Sequence, residues 1–316
     1  MQNILHDRAR SLLDLLDRVV LGKRTQSTLV LAAWLANGHV LLDDVPGVAK
    51  TRLARSMAAL MHLTMARVQG TPDLLPQDIT GGPVYDMKNG ELIFRPGPVF
   101  HNILLVDEIN RTTPRTQSAL LECMEERQVS ADGQSHPLPQ PFLVIATQNP
   151  LEMEGTFPLP EAELDRFLVS VSLGYPSEND ERQLVQQFSI SDPVRQLKPV
   201  MDSATLQAMA DEAKSVLIND AVRDYIVQLC RTTRTHPLVQ LGVSPRTSVR
   251  FAQLARSYAW LLGMDYATPD HVKWLAPYVL SHRLLLNTSA LVSRVSAPRV
   301  VEEILSETAV PVEDTP

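Results

Sequence analysis

The sequence predicts an α/β protein: a domain built on a parallel five-stranded sheet with inserted β-hairpins, followed by a smaller all-α domain. Three observations predict it. Short apolar runs, at His39–Leu42, Leu63–Val68, Ile103–Val106, Phe142–Ala146 and Phe167–Leu173, are separated by helical patterns, as in a parallel sheet covered on both faces. Asn89-Gly90 and Asp132-Gly133 are hairpin turn pairs between strand-like segments. From Ser177 to about Arg283 only helical periodicity remains, in Glu178–Phe188, Ser203–Val216, Asp220–Thr233, Arg246–Leu262 and Pro269–Leu284.

The elements follow in order. Leu5, Leu12, Leu13, Leu16 and Val20 recur at helical spacing, and Val20-Leu21-Gly22-Lys23 ends that helix. A second helix runs from about Thr25 to Ala36 and stops at Asn37-Gly38. The first strand leads through Asp44–Thr51 into a helix from Arg52 to His62. The second strand is bounded by Gly70, and Val84–Met87 with Glu91–Phe94 form the first hairpin. Pro114 starts a helix through Glu126 that carries Leu120, Leu121 and Met124 on one face. The fifth strand ends at Gly174-Tyr175-Pro176, read as a hinge. The expected domains are residues 1–175, 176–290 and a C-terminal helix and tail at 291–316, with hairpin inserts at about 82–96 and 127–139.

Composition narrows the function classes. The chain has 316 residues, 44% hydrophobic and 21% charged, with net charge −7, which offers nucleic acid no overall attraction. Cys123 and Cys230 sit in apolar helical patterns and read as buried thiols in a reducing, cytoplasmic setting. Charges at Asp7, Arg8 and Arg10 interrupt any secretory signal, and no window is long enough to span a bilayer. The histidines lack metal-ligand spacing. Met57, Met61 and Met65 read as core, and Glu122, Glu125 and Glu126 as solvated helix surface.

Chemistry gathers at strand ends. Asp44-Val45-Pro46-Gly47-Val48-Ala49-Lys50-Thr51 stands where a phosphate-binding loop would, between a strand and a helix whose N-terminal N–H groups face an anion. Lys50 would neutralise the β- and γ-phosphates and the Thr51 hydroxyl would ligate Mg²⁺. Two positions depart from G-x-x-x-x-G-K-[ST]: Asp44 and Ala49 replace the glycines. Ala49 is expected in the right-handed helical region. The third strand ends in Asp107, suited to hold Mg²⁺ through its water shell, and Glu108, suited to take a proton from attacking water. The fourth ends at Asn149, which would position that water. Alone, Asp107-Glu108 also fits a surface acidic pair and Asn149 a turn residue before proline; together, in order, they fit nucleoside triphosphate hydrolysis.

These stretches resemble the MoxR family of AAA+ ATPases, in the helix-2 insert branch. The resemblance is carried by Val45–Thr51, Leu105-Val106-Asp107-Glu108-Ile109-Asn110-Arg111, Ala146-Thr147-Gln148-Asn149-Pro150 and, most specifically, Glu154-Gly155-Thr156-Phe157-Pro158-Leu159-Pro160-Glu161-Ala162-Glu163-Leu164-Asp165-Arg166-Phe167, and spans roughly residues 15 to 285. It implies a P-loop AAA+ sheet domain with an all-α lid. It also implies that Arg166 is an arginine finger acting in trans, that Arg246 is a second sensor, and that Val20-Leu21-Gly22 lies against adenine. Arg166 also fits a helix-end salt bridge with Asp165 or Glu163, and Arg246 simple capping. Arg111 and Arg115 fit either a subunit interface or a solvated face.

The expected function is a MoxR-type ATPase that uses ATP and Mg²⁺ to remodel or activate partner proteins. The resemblance implies a homo-oligomeric ring, usually of six, a protein client and a partner bearing a von Willebrand factor A domain. Two other readings stand beside it: a DNA-acting motor or loader, disfavoured by the acidic balance, and an ATP-gated scaffold that does not hydrolyse.

Overall fold

The computed structural model describes residues 2–44, 47–131, 133–149, 155–188 and 192–311. Helices α1 (Gln2–Val19) and α2 (Arg24–Leu35) precede β1 (His39–Asp43), which feeds α3 (Lys50–Leu60) and then β2 (Met65–Gln69). A short helix, α4 (Pro76–Thr80), leads to the hairpin β3 (Gly81–Asp86) and β4 (Glu91–Pro96), followed by β5 (Ile103–Asp107) and α5 (Pro114–Glu126). The second hairpin, β6 (Gln128–Ala131) and β7 (Gln134–Pro137), precedes β8 (Leu143–Gln148). After α6 (Glu161–Leu164) comes β9 (Phe167–Val171). The strands lie in the order β2-β5-β8-β1-β9, and every neighbouring pair is parallel.

Alternation along the strands divides the core, because successive side chains point to opposite faces. Val40, Leu42, Ile103, Leu105, Leu143 and Ile145 face α1, α2 and α3. Leu41, Leu104, Val106, Val144, Ala146 and Phe167 face the layer of α5. Burial on both faces keeps the middle of these strands apolar, hence the continuous apolar runs. Met57 and Met61 are fully buried, as are both cysteines, and burial pushes the Cys123 thiol up to about 12.

The C-terminal part holds α7 (Glu178–Phe188), α8 (Ser203–Lys214), α9 (Asp220–Thr235), α10 (Pro245–Leu261), α11 (Pro269–Leu280), α12 (Thr288–Val292) and α13 (Ala297–Glu307). Asp202, Asn219, Ser244 and Thr268 cap four of them, each accepting from the backbone N–H three residues on. Two very short strands, β10 (Val239–Leu241) and β11 (Leu285–Leu286), pair antiparallel within this otherwise helical part. Val300, Val301 and Ile304 of α13 are fully buried, so this helix closes the same core.

The helical part is not a loosely tethered flap. Its core is continuous with the sheet face that carries α1, α2 and α3. Gly174, in the segment read as a hinge, does adopt positive φ (+63°). Yet α10 packs on α2 and α11 on β9, so a swing about that glycine alone would open apolar surface. Among the described residues no helix is long and apolar enough to cross a membrane.

A buried polar joint completes the contact. Asp165 accepts from Arg283 Nε (2.8 Å), Thr247 Oγ1 (3.0 Å) and Ser244 Oγ (2.9 Å). The side chains of Arg283 and Asp165 are 3% and 20% exposed. Burial works to raise the Asp165 carboxyl, but the hydrogen bond and charge of Arg283 and the two hydroxyls outweigh it and hold the group below the usual carboxylate range. Asp165→Asn should therefore cost about 3 kcal/mol of unfolding free energy at neutral pH. A carboxyl depressed in the folded state stabilises above its unfolded pKa and loses that contribution on acidification. Urea titrations should accordingly show the gap between parent and variant narrowing below about pH 4. A gap that is absent at neutral pH, or constant with pH, would contradict the assignment.

Candidate active site

At the C-terminal ends of β1, β5 and β8 lies a cavity of about 510 Å³ lined by Gly47, Ala49, Lys50, Thr51, Asp107, Glu108, Thr147 and Asn149 among others. Strand ends meet there because the sheet is parallel, so every strand of the set delivers its last residues to one edge. The structure thus brings together seven residues expected from sequence: Gly47, Ala49, Lys50, Thr51, Asp107, Glu108 and Asn149. Val48 is buried in the core rather than turned to the cavity. Val20 and Gly22 are not among its lining residues. Val20 is buried at the end of α1, and Gly22 abuts Asp180 of α7. Val45, Pro46, Pro150 and Glu154 lie outside the described residues.

The loop differs from expectation at Ala49. Its φ is +68° and ψ 17°, the left-handed region, so the expected right-handed conformation is wrong. Lys50 already heads α3, so the residue before it must turn the chain into the helix axis, and a left-handed residue does that. Gly47 is also left-handed (φ +87°). Loops containing such residues point successive N–H groups inward and form anion nests. Lys50 Nζ donates to the carbonyl of Asp44 at 2.7 Å. Burial lowers the Lys50 ammonium, opposed by the charges of Asp44, Asp107, Asp43 and Glu108.

The other departure has a structural reason. Asp44 is buried, and its carboxylate accepts from Ser172 Oγ (2.8 Å), from the backbone N–H of Gly174 (3.0 Å) and from that of Leu173. It fastens the start of the loop to the end of β9, a task glycine cannot perform.

The two carboxylates expected from sequence, Asp107 and Glu108, are held by partners that sequence reading missed. Arg67 Nε donates to Asp107 Oδ2 at 2.6 Å, and Thr147 Oγ1 donates to Asp107 Oδ1 at 3.3 Å. Gln69 Nε2 (2.9 Å) and Arg111 Nη1 (3.1 Å) both donate to Glu108 Oε2, so Arg111 is tied to the site although its side chain remains 42% exposed. Glu108 itself is left-handed (φ +55°), a conformation costing on the order of 1–3 kcal/mol. Gly70 lets the strand ends close up: a Cβ there would sit 2.3 Å from the Glu108 carbonyl oxygen. The one signal for Arg67 and Gln69 was their alternation along an edge strand. The donor set suits a hard cation, since a hydroxyl (Thr51) and a carboxylate (Asp107) offer oxygen only, and a cationic group already rests on Asp107.

Arg166 and Arg246 are not in this cavity. They line a second one, of about 220 Å³, with Asn37, His39, Met124, Glu125, Arg127 and Arg250. Asn37 and His39 mark the start of β1, so this cavity lies at the opposite end of the sheet. The five residues of β1 put roughly 16 Å between the ends. The two arginines are brought together by Asp165, which precedes Arg166 and accepts from the hydroxyls of Ser244 and Thr247 on either side of Arg246. Neither alternative reading of Arg166 holds. Its ionic partner is Glu125 (3.4 Å), which also pairs with Arg246 (2.8 Å), and Asp165 is bound to Arg283. Glu125 is therefore more than solvated surface. Burial and then the charge of Arg250 push Arg127 down to about 10, while burial and Arg127 keep His39 well below its ordinary value.

Replacing Ala49 by glycine should relieve backbone strain. Ala49→Gly is expected to raise unfolding free energy by about 1 kcal/mol in urea titrations. It should leave nucleotide affinity within about tenfold, or 1.4 kcal/mol. A destabilised variant would contradict the left-handed assignment.

Comparison with known proteins agrees with this geometry. Residues 39–169 match the model of the "ATPase family associated with various cellular activities (AAA)", and residues 231–304 the "AAA lid domain". The chain is 47% identical to the uncharacterised YeaC of Bacillus subtilis, over 99% of this chain and 98% of that one. It is 40% identical to the chaperone MoxR1 of Mycobacterium tuberculosis, over 93% and 80%. Protein MoxR of Paracoccus denitrificans is 31% identical, over 89% and 90%. A crystal structure of a protein named as an ATPase from Cytophaga hutchinsonii superposes with a TM-score of 0.92 at 33% identity, covering 98% of this chain and 97% of that one. With relatives of that name matched over most of their length, and a parallel sheet joined to an AAA lid, the chain belongs to the MoxR family of AAA+ ATPases.

Proposed function

We propose that this protein hydrolyses ATP as a ring-forming machine and uses the cycle to remodel or activate a partner protein. One observation carries the reading: two complementary half-sites occupy opposite ends of a single sheet. One end offers a lysine, a hydroxyl, two carboxylates and an asparagine. The other offers paired arginines too far away to reach their own chain's Lys50. A second copy, placed head to tail, joins the halves, and a repeated head-to-tail contact closes into a ring. Six copies is the number the family resemblance suggests.

In this reading Lys50 and the loop N–H groups bind the phosphates. Thr51, and Asp107 through water, would hold Mg²⁺, which would help neutralise the phosphate charge. Glu108 takes the proton from the attacking water, once its oxygen is released by Gln69 and Arg111. Asn149 orients that water. Arg166 acts in trans, and so does Arg246, because Asp165 fixes the two side by side. A trans arginine of this kind is worth about 10³–10⁵ in rate. Val20 and Gly22 remain candidates for the adenine contact only as the family resemblance suggests.

The client is a protein by resemblance, in keeping with the name of the mycobacterial relative, and a von Willebrand factor A domain partner and a cytoplasmic setting belong to the same reading. The β3–β4 hairpin exposes Val84, Tyr85, Met87, Leu92 and Ile93, an apolar surface suited to grip unfolded chain.

Glu108→Gln should lower ATP turnover by at least about 10²-fold while nucleotide still binds. Turnover equal to the parent would remove Glu108 from the mechanism. Arg166→Ala alone should also be inactive, yet mixing it with Glu108→Gln should restore part of the activity, because one interface then carries both intact halves. No recovery on mixing would count against action in trans. Stimulation by DNA, and not by protein captured on the ATP-loaded Glu108→Gln form, would favour the DNA-acting reading.

A further inference from the structure

Glu125 is the acidic residue of the arginine-lined cavity. Four arginines, Arg127, Arg166, Arg246 and Arg250, line the cavity with it. Two of them are tied to other groups. Arg127 donates to the carbonyls of Phe142 (2.6 Å) and Asn37 (2.7 Å), and Arg250 donates to Gln253 (3.2 Å) and Asn37 (3.4 Å). Arg166 and Arg246 instead meet on Glu125, one on each carboxylate oxygen.

We propose that Glu125 is a placeholder for phosphate: in the unassembled chain its carboxylate occupies Arg166 and Arg246, which Asp165 sets side by side, and it yields them to the terminal phosphate of a neighbouring copy's nucleotide. The inference rests on the trans-arginine reading above.

Three observations support the exchange. The first is bite. A carboxylate presents two oxygens to two guanidiniums in the way adjacent oxygens of a phosphate do, so the arginines are already spaced for their ligand. The second is access and strength. The Glu125 side chain is 40% exposed, within reach of another chain, and ion pairs this exposed are weak enough to displace. A triphosphate brings more charge than one carboxylate. The third is support from behind. Ser244 and Thr247 remain bound to Asp165 whatever Glu125 does, so the arginines keep their place when the carboxylate leaves.

Removing the carboxylate leaves the arginine cluster uncompensated in the free chain. Joining a neighbour that carries a terminal phosphate then becomes more favourable. ADP lacks that phosphate and gains nothing.

The test measures association by light scattering against protein concentration, with a non-hydrolysable ATP analogue or with ADP. Glu125→Gln should move the midpoint with the ATP analogue to about twofold to tenfold lower protein concentration, with no shift in ADP. Glu125→Asp keeps the charge and should stay within about twofold of the parent. Arg166→Ala should weaken the analogue-dependent association. Thermal melting confirms that each variant is folded. If Arg166→Ala weakens association but Glu125→Gln leaves it unchanged or weaker, or shifts ADP equally, the exchange is wrong and the trans reading stands. If Arg166→Ala behaves as the parent, the trans reading falls and this inference with it.

Discussion

One carboxylate in the joint between sheet and helices, that of Asp165, fixes the relation between the two ends of the molecule. It takes the Arg283 guanidinium and the hydroxyls of Ser244 and Thr247 in a place almost closed to water. A charge buried there is tolerable only because each oxygen is occupied by strong donors. Its neighbour in sequence is Arg166, and the residues that bind it bracket Arg246. A single interaction thus sets the helical part on the sheet and aligns two arginines drawn from segments far apart in the chain. Asp44 plays the same part at the other end, where it binds the phosphate loop to the end of β9.

The cavity at the C-terminal strand ends balances its own charges. Asp107 and Glu108 would repel each other and any approaching polyanion if left bare. Arg67 rests on the first, and Gln69 and Arg111 on the second. All three supports come from β2 or from the turn after β5, outside the phosphate loop. The loop and its acidic counterpart are therefore prepared by separate parts of the fold, and each can change without dismantling the other.

Much of this was legible in sequence, for a physical reason. Strands such as Val40–Leu42 and Ile103–Val106 are covered on both faces, which writes an uninterrupted apolar run. Lys50, Asp107, Glu108 and Asn149 stand at strand ends, where a polar residue after such a run is conspicuous. What escaped notice depends on partners distant in the chain. Asp44 looked like a flaw in a motif because its partner Ser172 lies 128 residues on. Glu125 looked like ordinary helix surface because its two arginines come from α10 and from the turn before β9. Arg67 and Gln69 sit on an edge strand, where polar alternation is unremarkable. The φ of Ala49 was misjudged because loop path, rather than residue preference, sets it. Strands as short as β10 and β11 carry no period to read.

The continuity of the core from α3 to α13 has a mechanical consequence. A domain pair joined by an open cleft can act as pincers, with its travel inside one chain. Here the apolar layer runs through the boundary, so swinging the helices off the sheet would expose buried side chains. In the proposed ring, motion would be taken up at the seams between copies, where carboxylate, guanidinium and phosphate would trade places. Each nucleotide would then set the tilt of one copy on the next, and the exposed hairpins would travel with the copies like teeth on a turning wheel.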